Sequence, residues 1–318
     1  MSNRSLPVLV AHADWSTNPK KRWIATGSLS GTSYRLSAPQ RVGDVPSLLR
    51  RLNEQAGGGT LVVGFDFPIG LPSFFAERVR ASRFLDILPV LGSGDWTMFY
   101  DVAVFPAEIS FHRPFYPYRS MGALQAHLKS ALGVPSIRDL LRLCEQRTLN
   151  RGDACALFWT LGAKQVGRAA IIGWRDMIAP ALLDSSLDVA VWPFDGSLDK
   201  LLRDRKCIVA ETYPAEACLH LGMTPPGQGW SKQDQSERKA QGHHLLSWAM
   251  SRGIFVEDIL EHQIRIGFAD GEDAFDAVLG LMSMIEVLLG YRSDGAPPSA
   301  VVRDIEGWIF GQTQGETG

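Results

Sequence analysis

Short runs of hydrophobic residues, each closing on an acid, are the clearest pattern along this chain. Three such runs are rich in β-branched side chains: residues 6–14 close on Asp14, 60–67 on Asp66 and 206–213 on Glu211. Runs of this length predict buried strands. In open α/β sheets, functional groups gather at the carboxyl ends of the strands. The pattern therefore predicts a sheet with three carboxyl groups at one edge.

Other periodicities predict the elements around these strands. Residues 22–28 and 32–36 alternate polar and apolar side chains across Ser30-Gly31, which is typical of a hairpin. Three successive strands should therefore open the chain. Helical spacing occurs in three further segments, residues 45–52, 237–252 and 272–289.

Residues 73–204 interrupt this order of elements. They are rich in Phe, Trp, Pro and Arg, and they contain helical stretches such as Ile137 to Glu145. No flexible linker flanks them, so we predict a large, mostly helical insertion packed on the core. The α/β core then comprises residues 1–72 and 205–318.

The helix predicted from residue 272 carries two acids on one face. Asp273 and Asp276 are three residues apart and are therefore neighbours on the helix surface. Small residues at Ala277 and Gly280 continue that face, which would let the helix lie close to a sheet. Acids in a first helical turn suit the helix dipole, but Asp276 lies one turn further in. Among apolar neighbours such an acid needs a partner or a cation.

Net charge, hydrophobic fraction and cysteine spacing limit the classes of protein to which the chain could belong. The 318 residues carry a formal net charge of -2 and a hydrophobic fraction of 45%, which is enough for a substantial core. A nucleic-acid partner would require Lys and Arg concentrated on one face. The four cysteines form no C-x-x-C pair, which favours reduced thiols in the cytoplasm. The sequence contains no uninterrupted run of 18 apolar residues, so we expect no membrane span.

Four short segments match motifs of one known superfamily, in the same order along the chain. They are Ala13-Asp14-Trp15-Ser16, Gly64-Phe65-Asp66-Phe67-Pro68, Glu211-Thr212-Tyr213-Pro214 and Glu272-Asp273-Ala274-Phe275-Asp276-Ala277. The chain resembles the RNase H-like superfamily, and within it the family catalogued as domain of unknown function 429, described as predicted nucleases. The final Asp-Ala-x-Asp-Ala is also similar to the last helix of RuvC-type Holliday-junction resolvases.

The resemblance implies a mixed sheet flanked by helices and a metal-dependent nuclease that hydrolyses DNA or RNA. Two Mg²⁺ or Mn²⁺ ions can clamp the attacking and leaving oxygens of a phosphodiester, and both prefer hard oxygen ligands. On this interpretation the metal ligands are Asp14, Asp66, Asp273 and Asp276, with Asp14 bridging. Glu211 would complete the catalytic set, and Lys164 would contact a phosphate.

Simpler structural roles and other functions stay open at this point. Asp14 and Asp66 could cap neighbouring helices, Asp276 could pair with an arginine, and Glu211 could order the Tyr213-Pro214 turn. Lys164 could be a solvated surface lysine. A non-catalytic nucleic-acid or protein-binding module on the same fold is the main alternative. An actin-like ATPase is disfavoured because Trp15, and not glycine, follows Asp14.

Overall fold

A computed structural model describes residues 5–120, 122–149, 151–161 and 166–313. In these residues an eight-stranded mixed sheet runs in the order β6-β7-β5-β1-β2-β3-β8, and β4 pairs with β2. The strands are β1 Leu9–Asp14, β2 Trp23–Ser30, β3 Ser33–Leu36, β4 Gln40–Arg41, β5 Leu61–Phe65, β6 Val189–Val191, β7 Cys207–Glu211 and β8 Phe255–Val256. The predicted α/β class and the opening three-stranded arrangement are confirmed.

Helices cover both faces of this sheet. They are α1 Leu48–Gln55, α2 Ser73–Arg78, α3 Phe84–Ile87, α4 Gln125–Ala131, α5 Val166–Gly173, α6 Ala179–Leu183, α7 Leu198–Asp204, α8 Pro214–His220, α9 Gln235–Ser251, α10 Asp258–Ile266 and α11 Glu272–Leu288. Within the described ranges, none of them combines the length and apolarity that a bilayer crossing requires.

The three strands that close on acids lie side by side. β5 pairs in parallel with β1 on one side and with β7 on the other. β2 pairs antiparallel with the remaining edge of β1. The carboxyl ends of β1, β5 and β7 therefore meet at one edge of the sheet, as the sequence pattern predicted.

Alternate residues of these strands face two different hydrophobic layers. Leu9, Ala11 and Ala13 of β1 belong to the layer that contains α1 and much of the segment from residue 73 onward. Val10 belongs to the opposite layer, which contains α9 and α11. Because side chains alternate along a strand, Asp14 lies on the same face as Val10, towards α11.

Helix α11 lies unusually close to β1 on that face. An added Cβ at Gly280 would overlap the ring of the fully buried His12, and one at Gly64 would overlap Met284. The His12 ring bridges helix and sheet, with Nδ1 donating to Ala277 O at 3.1 Å and Nε2 accepting from Thr212 Oγ1 at 2.8 Å. This close approach confirms the prediction drawn from the small residues of α11.

Replacing Gly280 by alanine should therefore destabilise the protein by about 1–3 kcal/mol, the usual cost of overpacking a core. The methyl group would force the His12 ring away from its two hydrogen-bond partners. Gly152 is the matched control, because an added Cβ there meets nothing within 4 Å. Gly152→Ala should change the free energy of unfolding by less than about 0.5 kcal/mol. Equal losses in urea unfolding of the two variants would contradict the close packing.

The segment from residue 73 to 204 differs from the predicted insertion in two respects. Val189–Val191 forms strand β6, which pairs in parallel with β7, so part of this segment belongs to the sheet. The predicted helical stretch Ile137–Glu145 is two 3-10 turns joined by extended residues. Between these two turns the backbone is extended, and the Arg142 side chain reaches buried carboxylates in the interior. Buried residues of the segment belong to the hydrophobic clusters on both faces of the sheet.

Candidate functional site

An acidic pocket of about 490 Å³ opens at the carboxyl edge of β1 and β5. Five carboxyl side chains line it, together with two ammonium groups, those of Lys21 and Lys232. The five acids are Asp14, Asp66, Glu272, Asp273 and Asp276. The opposite wall comes from the 73–204 segment, through Ala154, Cys155, Val166 and Ala169. Hence four of the five acids named from the sequence come together, from two strand ends and one helix.

Asp14 and Asp66 are neighbours at the ends of adjacent parallel strands. Asp14 is the last residue of β1 and is buried, and Asp66 follows β5 directly and is partly buried. The backbone N–H of Trp15 donates to Asp66 Oδ1 at 2.6 Å, which fixes that carboxyl group. The Asp14 carboxyl group lies within hydrogen-bonding reach of it. The two groups can therefore share a proton or a cation.

The other two predicted acids in the pocket, Asp273 and Asp276, come from the first turns of α11. Asp276 is buried, and its Oδ2 forms an ion pair with Lys232 Nζ. Asp276 Oδ1 is buried and has no hydrogen-bond partner. Asp273 is partly buried one turn earlier and is attracted by Lys21. A buried carboxylate oxygen with no partner is costly, so this oxygen marks a position suited to a proton or a cation.

Burial and mutual repulsion raise the pKa values of this cluster. Burial raises the pKa of Asp14 well above its usual range, and the charges of Asp66, Asp276 and Asp273 add to the shift. Burial raises the pKa of Asp66 to about 7, against the hydrogen bond from Trp15 N–H. Burial also raises the pKa of Asp276, and the Lys232 ammonium opposes that shift. Clustered acids of this kind are poised to bind positive charge.

These shifts predict a pH dependence in metal-free protein. An acid whose pKa is raised by folding stabilises the fold at low pH, and this stability is lost as the pH rises through the folded value. For Asp66 that window runs from about pH 4 to about pH 7. Asp66→Asn should therefore gain stability relative to wild type across this window, by more than about 1 kcal/mol.

The measurement is the difference between the two urea-unfolding free energies, in chelator, at several pH values. Taking the difference cancels His12, whose pKa burial lowers to about 4 and which acts in the opposite direction below about pH 6.5. A flat difference curve would show that Asp66 is ionised throughout.

Glu211 is not part of this pocket, contrary to the sequence-based expectation. Its partner across the parallel pairing is Phe65, which in turn pairs with Ala13. All three side chains therefore point to the face opposite Asp14, since a shift of one residue reverses the face. Both Glu211 oxygens instead accept from Arg142, at 2.6 and 2.7 Å, and Ile69 N–H donates to Oε2. Glu211 therefore pairs with Arg142 and does not belong to the acidic cluster.

Lys164 and Trp15 were also singled out in the sequence. Lys164, expected to contact a phosphate, lies outside the described residues. Trp15 packs edge-on against Phe65 at 5.4 Å between ring centroids, so its bulk fills the core beside the pocket. Away from this pocket, the exposed Phe105 and Tyr118 line a second pocket with Arg119.

Lys21 and Lys232 line the pocket but were not predicted from the sequence. Lys232 lies in the segment before α9, 44 residues from its partner Asp276, and no local spacing connects the two. Lys21 follows Pro19 in a short turn between β1 and β2. Its closeness to Asp14 in sequence was the one available signal.

Oxygen ligands in the pocket match the preference of Mg²⁺ and Mn²⁺ for hard donors. In the residues that the structure describes, no three His, Cys, Asp or Glu side chains form a ready-made metal-binding group. Trp15 N–H and Lys232 already occupy one oxygen each of Asp66 and Asp276. The unpaired Asp276 Oδ1 beside Asp14 is the feature that fits a cation.

Comparison of the chain with protein-family models, curated proteins and solved structures found no match. The functional interpretation therefore depends on the geometry of the pocket and on the resemblance of the four segments described above.

Proposed function

We propose that this protein is a metal-dependent phosphodiesterase, a hydrolase that cleaves DNA or RNA on an RNase H-like core. The observation that carries the proposal is the buried, unpaired Oδ1 of Asp276. Its pocket holds four further carboxyl groups, two at the ends of parallel strands and two in the first turn of α11. Such a pocket concentrates negative charge where water is partly excluded, which favours a divalent cation.

The four segments that resemble nuclease motifs support the proposal by their positions. Asp14, Asp66 and Asp276 come from three of them, and Tyr213 and Pro214 of the fourth also line the pocket. The first of these segments ends at Ser16 and the last begins at Glu272, so they are far apart in sequence. Their convergence on one pocket is the arrangement that a shared catalytic centre requires.

Mg²⁺ or Mn²⁺ would be held by Asp14, Asp66, Asp273 and Asp276, and when bound it polarises phosphoryl oxygens and activates water. The chain itself positions these ligands. Trp15 N–H orients the Asp66 carboxyl group, and the contact of Gly280 with His12 keeps α11 against β1. Lys21, exposed at the rim, supplies positive charge for a substrate phosphate.

A non-catalytic nucleic-acid or protein-binding module is the second candidate. The observation that favours it is the ion pair between Lys232 and Asp276, because a lysine can neutralise part of the acidic cluster without any metal. On this alternative the pocket would bind a basic or hydrogen-bonding partner without chemistry.

The test is cleavage of labelled single-stranded, duplex and branched DNA and RNA in Mg²⁺ or Mn²⁺. We expect cleavage of at least one substrate, its loss in chelator, and its loss in Asp276→Asn. Glu261→Gln, which removes an exposed acid paired with Arg265 on α10, is the control and should cleave normally. Binding of a substrate without cleavage under every metal condition would favour the binding module.

A further inference from the structure

Lys232 is held at the acidic pocket by its ion pair and by contacts of the backbone around it. Trp230 is buried, packs edge-on against Phe275 and donates its indole N–H to Thr224 O at 2.8 Å. The guanidinium group of the buried Arg238 donates to the backbone carbonyl of Lys232. The residue is therefore anchored on both sides before its side chain reaches Asp276 Oδ2.

The two oxygens of Asp276 have different surroundings. Lys232 Nζ contacts Oδ2, whereas the buried Oδ1 has no partner. The residue is 5% exposed and Oδ1 itself is buried, so bulk water does not satisfy Oδ1. One oxygen is thus already neutralised by a cation that belongs to the chain, and one remains for a cation from solution.

A second dication would have to lie beside this ammonium group. Like charges in a partly dehydrated pocket repel strongly, because the effective dielectric constant is far below that of water. Lys232 also faces Asp14 and Glu272, so its charge is spread over the carboxylates that a second metal would need. The ammonium group and a second metal ion compete for the same ligands.

We propose that Lys232 fills the position of the second cation, so that the pocket binds one divalent ion and not the two expected from the sequence. This inference rests on the proposed function for its metal. The lysine would supply the second positive charge that faces the phosphodiester, and its role is to neutralise and orient the acids together with the phosphate. No proton or bond change is assigned to it.

Counting bound Mn²⁺ ions tests this inference directly. Electron paramagnetic resonance of free Mn²⁺ during titration gives the number bound per chain, without any need for activity. We expect one ion in the wild type, two in Lys232→Met, and one in Lys21→Met. Lys21 is the matched control because it lines the same pocket but makes no ion pair with Asp276 among the described contacts.

A second variant and a second measurement guard against misfolding. Lys232→Gln keeps a polar side chain and should also bind two ions, and added Mn²⁺ should raise the melting temperature of both Lys232 variants more than that of the wild type. Two ions in the wild type, no bound ion, or an unchanged count in both Lys232 variants would each overturn the inference. One ion in the wild type and two in the variants, with no nucleic acid cleaved, would uphold it and refute the nuclease proposal.

Discussion

Replacing Asp14 by asparagine should raise the melting temperature of the metal-free protein, by about 2 °C or more, and abolish metal-dependent cleavage. The side chain is nearly isosteric, so packing around β1 should not change. Asp14 is buried among Asp66, Asp273 and Asp276, whose charges repel its ionised form. The amide removes this repulsion but provides only a neutral dipole for a cation. We expect the cleavage rate to fall by more than about 100-fold, an effect of about 2.7 kcal/mol on the barrier.

The measurement combines melting curves against Mn²⁺ concentration with the cleavage assay. Metal should stabilise the wild type by mass action and stabilise Asp14→Asn much less. Asp184→Asn is the control, because Asp184 lies outside the pocket. It accepts hydrogen bonds from Ser186 and pairs with Arg50, and both contacts lower the pKa of its carboxyl group. That variant should lose a little stability and keep the full response to metal. Equal responses of wild type and Asp14→Asn would rule out Asp14 as a ligand.

The sheet and most of the acidic pocket could be predicted because both follow from local patterns. An apolar run that closes on an acid predicts both a strand and an acid at its carboxyl end. The runs that close on Asp14 and Asp66 are the examples. On α11, the spacing of Asp276 and Gly280 predicted both the acid that lines the pocket and the close packing against the sheet. In each case a single element carries the information, so the periodicity of that element is enough.

Features that depend on register or on distant partners could not be predicted. Glu211 closes its strand just as Asp14 does, yet it pairs across the sheet with Phe65 and so points to the other face. Only the alignment of neighbouring strands determines this, and one sequence does not reveal it. The ion pair of Lys232 with Asp276 and that of Arg142 with Glu211 join segments far apart in the chain.

On the opposite face of the sheet from the acidic pocket, Arg142 and Glu211 form a buried ion pair. Arg142 is completely buried and also donates to Glu145 at 2.9 Å and to the carbonyl of Glu306 at 3.0 Å. It therefore joins the 73–204 segment to the end of β7 and to the chain near residue 306. Ile69 N–H donates to the same Glu211, which ties the turn after Asp66 to this network.

Replacing Arg142 by methionine should destabilise the protein by about 3–5 kcal/mol. Methionine keeps much of the apolar volume but leaves Glu211 and Glu145 buried without their cation. Burial already raises the pKa of Glu211, and Arg142 opposes that shift, so the variant should raise it further. An acid with a raised folded pKa is least costly when protonated. The deficit relative to wild type should therefore shrink as the pH falls.

Urea unfolding at several pH values checks this expectation. Arg138→Met is the matched control, because Arg138 and its partner Asp153 are 52% and 35% exposed and such surface pairs contribute at most about 1 kcal/mol. Adding Glu211→Gln to Arg142→Met should restore part of the lost stability, since the amide carries no charge to bury. A small, pH-independent loss that Glu211→Gln does not relieve would show that water, and not Arg142, compensates the Glu211 carboxylate.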